Sequence, residues 1–306
     1  MDVKNKSVDG KASILVIFAG VFWGILSIFV RQLTTAGLTS MEIVCIRMIL
    51  ATVGMFFILL ITAPSKLYIC LRDVWMFICT GVISIALHNY CYFSAIQLGD
   101  ASVAVVLEYT APAFVMIMSI LFFREKVTVR KILALALTIF GCVLTAGLAK
   151  GSFSVHPMVL LLGLSGGLFY ATYSIFGALA TRKYDAFTVT FYSFLFAAIA
   201  TIPFLRVSTV LSIYHSEPSQ ILWSVGLGIF CAVLPYVLYT TGLKRLEAGR
   251  AAILSATDPL VGVLTGIIVF NEPITCQRIL GVVLIITAVI ILNFPARKVR
   301  IIRSDV

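Results

Sequence analysis

The sequence predicts an all-α integral membrane protein of ten transmembrane helices, arranged as two inverted five-helix repeats. Three observations predict it: a composition too apolar for a soluble fold, ten apolar windows bounded by polar or turn residues, and one offset that aligns the second half of the chain with the first. Of 306 residues, 61% are hydrophobic and 12% charged, against roughly 45–50% and about 25% in soluble domains. Backbone N–H and C=O groups in hydrocarbon must be satisfied within their own segment, which takes about 20 apolar residues per helix. Ten such helices nearly exhaust the chain and leave little for a soluble domain.

The first window, 12–33, follows Lys4, Lys6 and Lys11 as a signal peptide would, but it is too long and lacks an A-x-A site, so it reads as a retained helix. Next come 41–62, with Arg47 in its interior, 74–96 with His88, 100–123 with Glu108, and 129–149, completing a first repeat of residues 1–150. The second repeat, 151–306, holds windows 157–180, 186–204, 220–243, 248–270 with Asp258, and 276–295. With both termini cytoplasmic, eighteen of the 23 Lys and Arg fall in cytoplasmic segments, from Lys4 and Lys6 to Arg300 and Arg303. Outer loops hold Arg31, Lys150, Arg206 and Arg278, leaving Arg47 inside a span. The positive-inside rule selects this orientation, and with it an even number of spans and a multi-pass protein of the cell membrane.

Sliding the chain by 147 residues aligns "LEYTAPAFVMIMSILFFREKVT", from Leu107, with "LSATDPLVGVLTGIIVFNEPIT", from Leu254. Thr110 meets Thr257, Pro112 meets Pro259 and Glu125 meets Glu272, while the same offset pairs Gly20 with Gly167, Gly81 with Gly228 and Tyr92 with Tyr239. One offset serving three helix pairs is the mark of duplication. Five spans per copy is an odd number, so the second copy enters the membrane from the opposite side. Such inverted halves suit alternating access, in which two pseudo-equivalent units rock about a central site.

The chain resembles the drug/metabolite transporter superfamily of EamA type over nearly its whole length. The residues that carry the resemblance are "GVFWG" at Gly20 to Gly24, Arg47, "YTAP" with "REKVT", and "GLKRLEAGRAAILSATDP" with "NEPIT". It implies a ten-helix transporter, often an exporter of amino acids or related metabolites, with a central cavity lined by both halves. It also implies an acid before the proline of the ninth span, usually Glu where this chain has Asp258, and an apolar residue where this chain has Glu108.

Asp258 falls roughly 15 Å into its span at 1.5 Å per residue, near mid-bilayer. An ionised acid there costs about 2.5–3.5 kcal/mol on insertion scales, so it is expected to face a cavity or a partner, as substrate contact or as carrier of a coupling proton. Arg47, His88 and Glu108 reach similar depths in the outer half, and an Arg47–Glu108 ion pair is expected from depth alone. Trp23, Tyr90, Tyr92, Tyr109, Tyr170, Tyr173, Tyr236 and Tyr239 lie within spans rather than at their ends. Of these, Trp23, Tyr90, Tyr92, Tyr170 and Tyr239 are candidates to present rings to a shared cavity, where aromatic faces bind cations or flat apolar groups; taken singly, each suits helix packing. Glu125 and Glu272 read as caps of the next helix N-terminus. Gly141, Gly166, Gly167, Gly262 and Gly266 read as close helix approaches.

The expected partners are a small-molecule substrate, the lipid bilayer, a proton as candidate coupling ion, and a second copy of the chain in a homodimer. Nucleic acid is not expected, because the basic residues are spread over short loops. No cofactor or metal is expected: the seven cysteines show no CxxC spacing. An intramembrane enzyme is disfavoured by the lack of HExxH, GxSxG or a carboxylate pair on one helix. A receptor or scaffold is disfavoured by short loops, the longest outer one running from about Leu205 to Ser219. Without a Walker A sequence, transport is gradient-driven or facilitated.

Overall fold

In the computed structural model, residues 10–99, 101–145, 156–271 and 274–293 are described, and among them the chain is helical throughout with no strand. The expected cap at Glu272, the basic residues Lys4, Lys6, Lys150, Arg297, Lys298, Arg300 and Arg303, and both chain ends lie outside the described residues. Among the described residues eight helices are long and apolar enough to cross a membrane: α1 (Gly10–Thr35), α2 (Ser40–Thr62), α3 (Leu71–Leu98), α4 (Val103–Phe123), then, after the 17-residue α5 (Val129–Thr145), α6 (Pro157–Ala180), α7 (Ala186–Phe204), α8 (Ser219–Leu243) and α9 (Ala248–Phe270). A shorter apolar helix, α10 (Cys276–Asn293), follows.

Local chemistry explains the helix starts. Thr39 and Glu42 form a reciprocal capping box on α2, so two otherwise orphaned N–H groups are met by side chains. Asp185 accepts the Phe187 N–H at the start of α7, and His156 accepts that of Met158 at the start of α6, with Pro157 supplying the fixed φ of a first helical position. The expected loop from Leu205 to Ser219 holds a helix of its own, Val207–Ser216. Its Val210 is buried under α2 and α8, and Arg206 before it grips the fully buried Glu42 at 2.8 and 3.1 Å. Eight polar residues in that stretch, among them Arg206, His215 and Glu217, masked the signal.

Irregularities recur at the 147-residue offset. Helix α4 breaks between Ala101–Glu108 and Ala111–Phe123, and α9 breaks between Ala248–Ser255 and Asp258–Phe270. Each second segment places a proline at its second position, where a missing N–H costs nothing, and ends on a left-handed residue, Arg124 (φ 54°) or Asn271 (φ 52°). Pro259 therefore opens a new helix rather than kinking a continuous one. Wider π turns interrupt α3 at Cys79–Leu87 and α8 at Ile229–Val233.

Packing repeats in the same way. Helix α1 lies against α8 and α9, whereas α6 lies against α3 and α4; α2 packs on α7, and α5 on α10. At the α1–α9 contact a Cβ on Gly20 would collide with Thr257 Oγ1 and come within 2.5 Å of the Ser255 carbonyl. At the α6–α4 contact a Cβ on Gly167 would come within 2.9 Å of Leu107 O and Thr110 Oγ1. Gly141 meets Gly281 backbone to backbone between α5 and α10, while a Cβ on Gly262 would lie 3.9 Å from the Gly24 carbonyl, an ordinary contact, and Gly262 lines the cavity described below.

Charged groups tie the ends. Lys183 and Tyr184 hold Asp73 at 2.6 and 2.7 Å, Lys66 holds Asp185 at 3.0 Å, and Lys131 bridges Glu125 and Glu247 at 3.4 and 2.6 Å. The Asp73 carboxylate keeps the Lys183 ammonium above its ordinary range. Glu125 caps a helix as expected, but not the next one: its Oε1 accepts the Ala248 N–H at the start of α9, because the left-handed turn at Arg124 swings it across to the other half.

Candidate functional site

A cavity of about 430 Å³ opens among α1, α2, α3, α4, α6, α8 and α9. Its floor is aromatic. Trp23 of α1 meets Tyr170 of α6 at 6.4 Å and Tyr236 of α8 at 5.4 Å between ring centres, both edge to face, the geometry that aligns a positive ring edge with a negative face. Its charged, imidazole and amide groups come from four helices, Arg47, His88 with Asn89, Glu108, and Asp258, beside the hydroxyls of Ser27, Ser255 and the tyrosines.

The two helix breaks deliver the acids. Glu108 ends the first segment of α4, and Asp258 begins the second segment of α9, where free N–H groups and the helix dipole favour negative charge. Asp258 Oδ1 is buried without a hydrogen-bond partner. His88 places Nδ1 3.1 Å from the Gly166 carbonyl and Nε2 3.3 Å from Glu108 Oε1. Arg47 donates from Nη2 to Asn89 Oδ1 at 3.5 Å, a long contact, and its Nε is buried without a partner.

Of the residues singled out from sequence, Asp258, Glu108, His88, Arg47, Trp23, Tyr92 and Tyr170 line this one cavity. Tyr90 and Tyr239 do not. Tyr90 is 44% exposed, its ring against Phe204, because two residues along a helix turn it about 200° from His88. Tyr239 is buried behind the wall, its ring 5.4 Å from Trp23 and its hydroxyl bonded to Ser174. The expected Arg47–Glu108 ion pair is corrected: among the described residues none joins them within 4 Å, and His88 is the partner of Glu108. Helical rise gives depth but not the direction a side chain faces. Asn89, which orients Arg47 while donating to the Ile85 carbonyl, was missed, although an amide beside His88 in an apolar span was a readable sign.

This geometry predicts where stability is coupled. In a double-mutant cycle on detergent-solubilised protein, His88→Gln and Glu108→Gln should show an interaction of about 0.5–3 kcal/mol, as groups in contact do. Arg47→Gln with Glu108→Gln should lie closer to additive. Equal couplings for both pairs would contradict the contact map.

The model of the EamA-like transporter family matches the chain twice, at residues 10–147 and 157–294. An uncharacterized transporter of Archaeoglobus fulgidus is 29% identical over 287 residues, covering 92% of this chain and 95% of that one. The threonine/homoserine exporter RhtA of Salmonella typhimurium is 29% identical over 205 residues, 65% of each chain. A solved crystal structure superposes with a TM-score of 0.75 at 18% identity, covering 92% of this chain and 96% of that one, a likeness of fold.

Proposed function

The chain belongs to the EamA-like transporter family, and from that premise we propose that it is a secondary transporter exporting small amino-acid-like metabolites by alternating access around the central cavity. One observation carries the substrate class: the cavity wall holds a buried cationic donor, Arg47 Nε, and a buried anionic acceptor, Asp258 Oδ1, both without a protein partner. Buried polar groups without partners cost about 1–3 kcal/mol each, so a ligand that satisfies both is favoured. A zwitterion does this, with its carboxylate at Arg47, its ammonium at Asp258 and its side chain against the rings of Trp23 and Tyr170. Export of threonine and homoserine by RhtA agrees with such a substrate.

The frame for this activity is ten spans in two inverted five-helix repeats, residues 1–150 and 151–306, in the cell membrane with both termini cytoplasmic. Supporting it are the recurrence of helix breaks, left-handed ends and π turns at one offset, and the reciprocal packing of α1 and α6. A reporter fused after residue 306 should be cytoplasmic and one inserted near residue 152 external. Finding both on one side would remove the inverted arrangement. A proton is the proposed coupling ion, and a homodimer the proposed assembly.

The direct test is efflux of radiolabelled threonine, homoserine, leucine and phenylalanine from proteoliposomes, with and without a pH gradient. Movement of at least one of them above protein-free vesicles, competed by amino acids but not by their decarboxylated amines, is the expected result. Chemical conversion without movement would favour an enzyme instead.

A further inference from the structure

The buried His88 ring is held at both nitrogens. The Gly166 carbonyl, 3.1 Å from Nδ1, has no proton to give, so Nδ1 carries its N–H in either charge state of the ring. That leaves Nε2 facing Glu108 Oε1 at 3.3 Å. A neutral imidazole presents a lone pair there and so does a carboxylate, so the contact is attractive only with one proton between the two atoms. Whether that proton rests on nitrogen or oxygen, the pair is uncharged overall; without it, the pair carries one negative charge.

We infer that His88 and Glu108 form one coupling-proton site, separate from the substrate contacts at Arg47 and Asp258. This deepens the transporter reading above and rests on it. The charged and titratable groups facing the pair are Arg47 of α2, Asp258 of α9, and the phenols of Tyr92, Tyr109, Tyr170 and Tyr236. One cation and two carboxylates leave the cavity with a net negative charge when the pair is deprotonated and none when it is protonated. A substrate ammonium at Asp258 and a proton at His88–Glu108 therefore compete for the same negative potential, and each weakens binding of the other by the same factor. In a cavity open to one side at a time, this competition becomes exchange. A proton from the water on one side binds between Nε2 and Oε1 as the substrate leaves, and returns to the water on the other side as the next substrate binds.

The pair also sits on a mechanical contact. Gly167, beside Gly166, packs its Cα against Leu107 O, Glu108 O and Thr110 Oγ1 at the α4 break. Losing the shared proton turns attraction into lone-pair repulsion between α3 and α4 directly beside this α4–α6 seam, linking the charge state to the packing that must shift when the cavity changes sides.

Two measurements on full-length protein test this. The chain has three histidines, and His156 and His215 lie outside the spans, so the ring signals of His88 in ¹⁵N-histidine-labelled protein are assigned as those missing from His88→Gln. Their pH titration should be displaced by about one pH unit or more, or abolished, in Glu108→Gln, as for any two groups that share a proton. An unchanged titration overturns the inference without any substrate. In proteoliposomes, with threonine, homoserine, leucine and phenylalanine as probes, the ratio of pH-gradient-driven efflux to equilibrium exchange should fall at least tenfold in Glu108→Gln. An undiminished ratio overturns the coupling role while the transporter reading stands. If wild-type protein moves none of the four probes, the amino-acid reading fails, and the histidine titration alone decides whether the pair shares a proton.

Discussion

Asp258→Asn protein is expected to insert and fold as wild type does and to lose transport roughly tenfold to hundredfold, the rate equivalent of one charge-assisted hydrogen bond of about 1.5–3 kcal/mol. The amide keeps the shape of the acid, but an ammonium group then meets a dipole in place of a charge. The substitution isolates charge from packing, since Oδ1 has no protein partner to lose. Equal amounts of wild-type and variant protein in liposomes, assayed for amino-acid exchange at several pH values, decide the matter. Wild-type rates with an unchanged pH profile would leave Asp258 as a structural residue of the α9 break.

Gly20→Leu should produce the largest loss of stability among single substitutions in the first helix. Overpacking a core costs about 1–3 kcal/mol when neighbours can move. Here the neighbours are Thr257 and the Ser255 and Asp258 backbone at the α9 break, so the effect falls at the upper end or beyond. Gly54 supplies the control, because a side chain there meets nothing within 4 Å. In detergent, Gly20→Leu should melt well below wild type or fail to accumulate, while Gly54→Leu melts close to wild type. Equal melting temperatures for the two variants would show that the α1–α9 contact is looser than described.

Much of this is legible in the sequence. Apolar windows located the long helices to within a few residues because the bilayer permits so few alternatives. The residues that converge on the cavity were also legible, since an intramembrane Arg, His, Asp or Glu has little reason to be there except to face a cavity or each other. Direction was not. Depth along a helix follows from the 1.5 Å rise, but whether Tyr90 points at the cavity or at Phe204 depends on how α3 is rotated, and its π turn resets that rotation midway. The same gap misassigned the partner of Glu108. Glu125 was read as a local cap because sequence proximity is the default for capping, and only the fold shows that residue 248 is the near neighbour.

The exchange of packing partners, α1 against α8 and α9 while α6 lies against α3 and α4, has a consequence for biosynthesis. When the ribosome has released the first five helices, α1 lacks its main partners α8 and α9, and the groove on α3 and α4 that receives α6 stands empty. The early chain is an open clasp in the lipid, with the carbonyls of the α4 break waiting for Gly167. It closes only as the later helices arrive, so quality control has a long interval in which to act. A stop codon after the first half should thus give a chain that inserts yet is degraded, and co-expression of the second half as a separate polypeptide should rescue both pieces together.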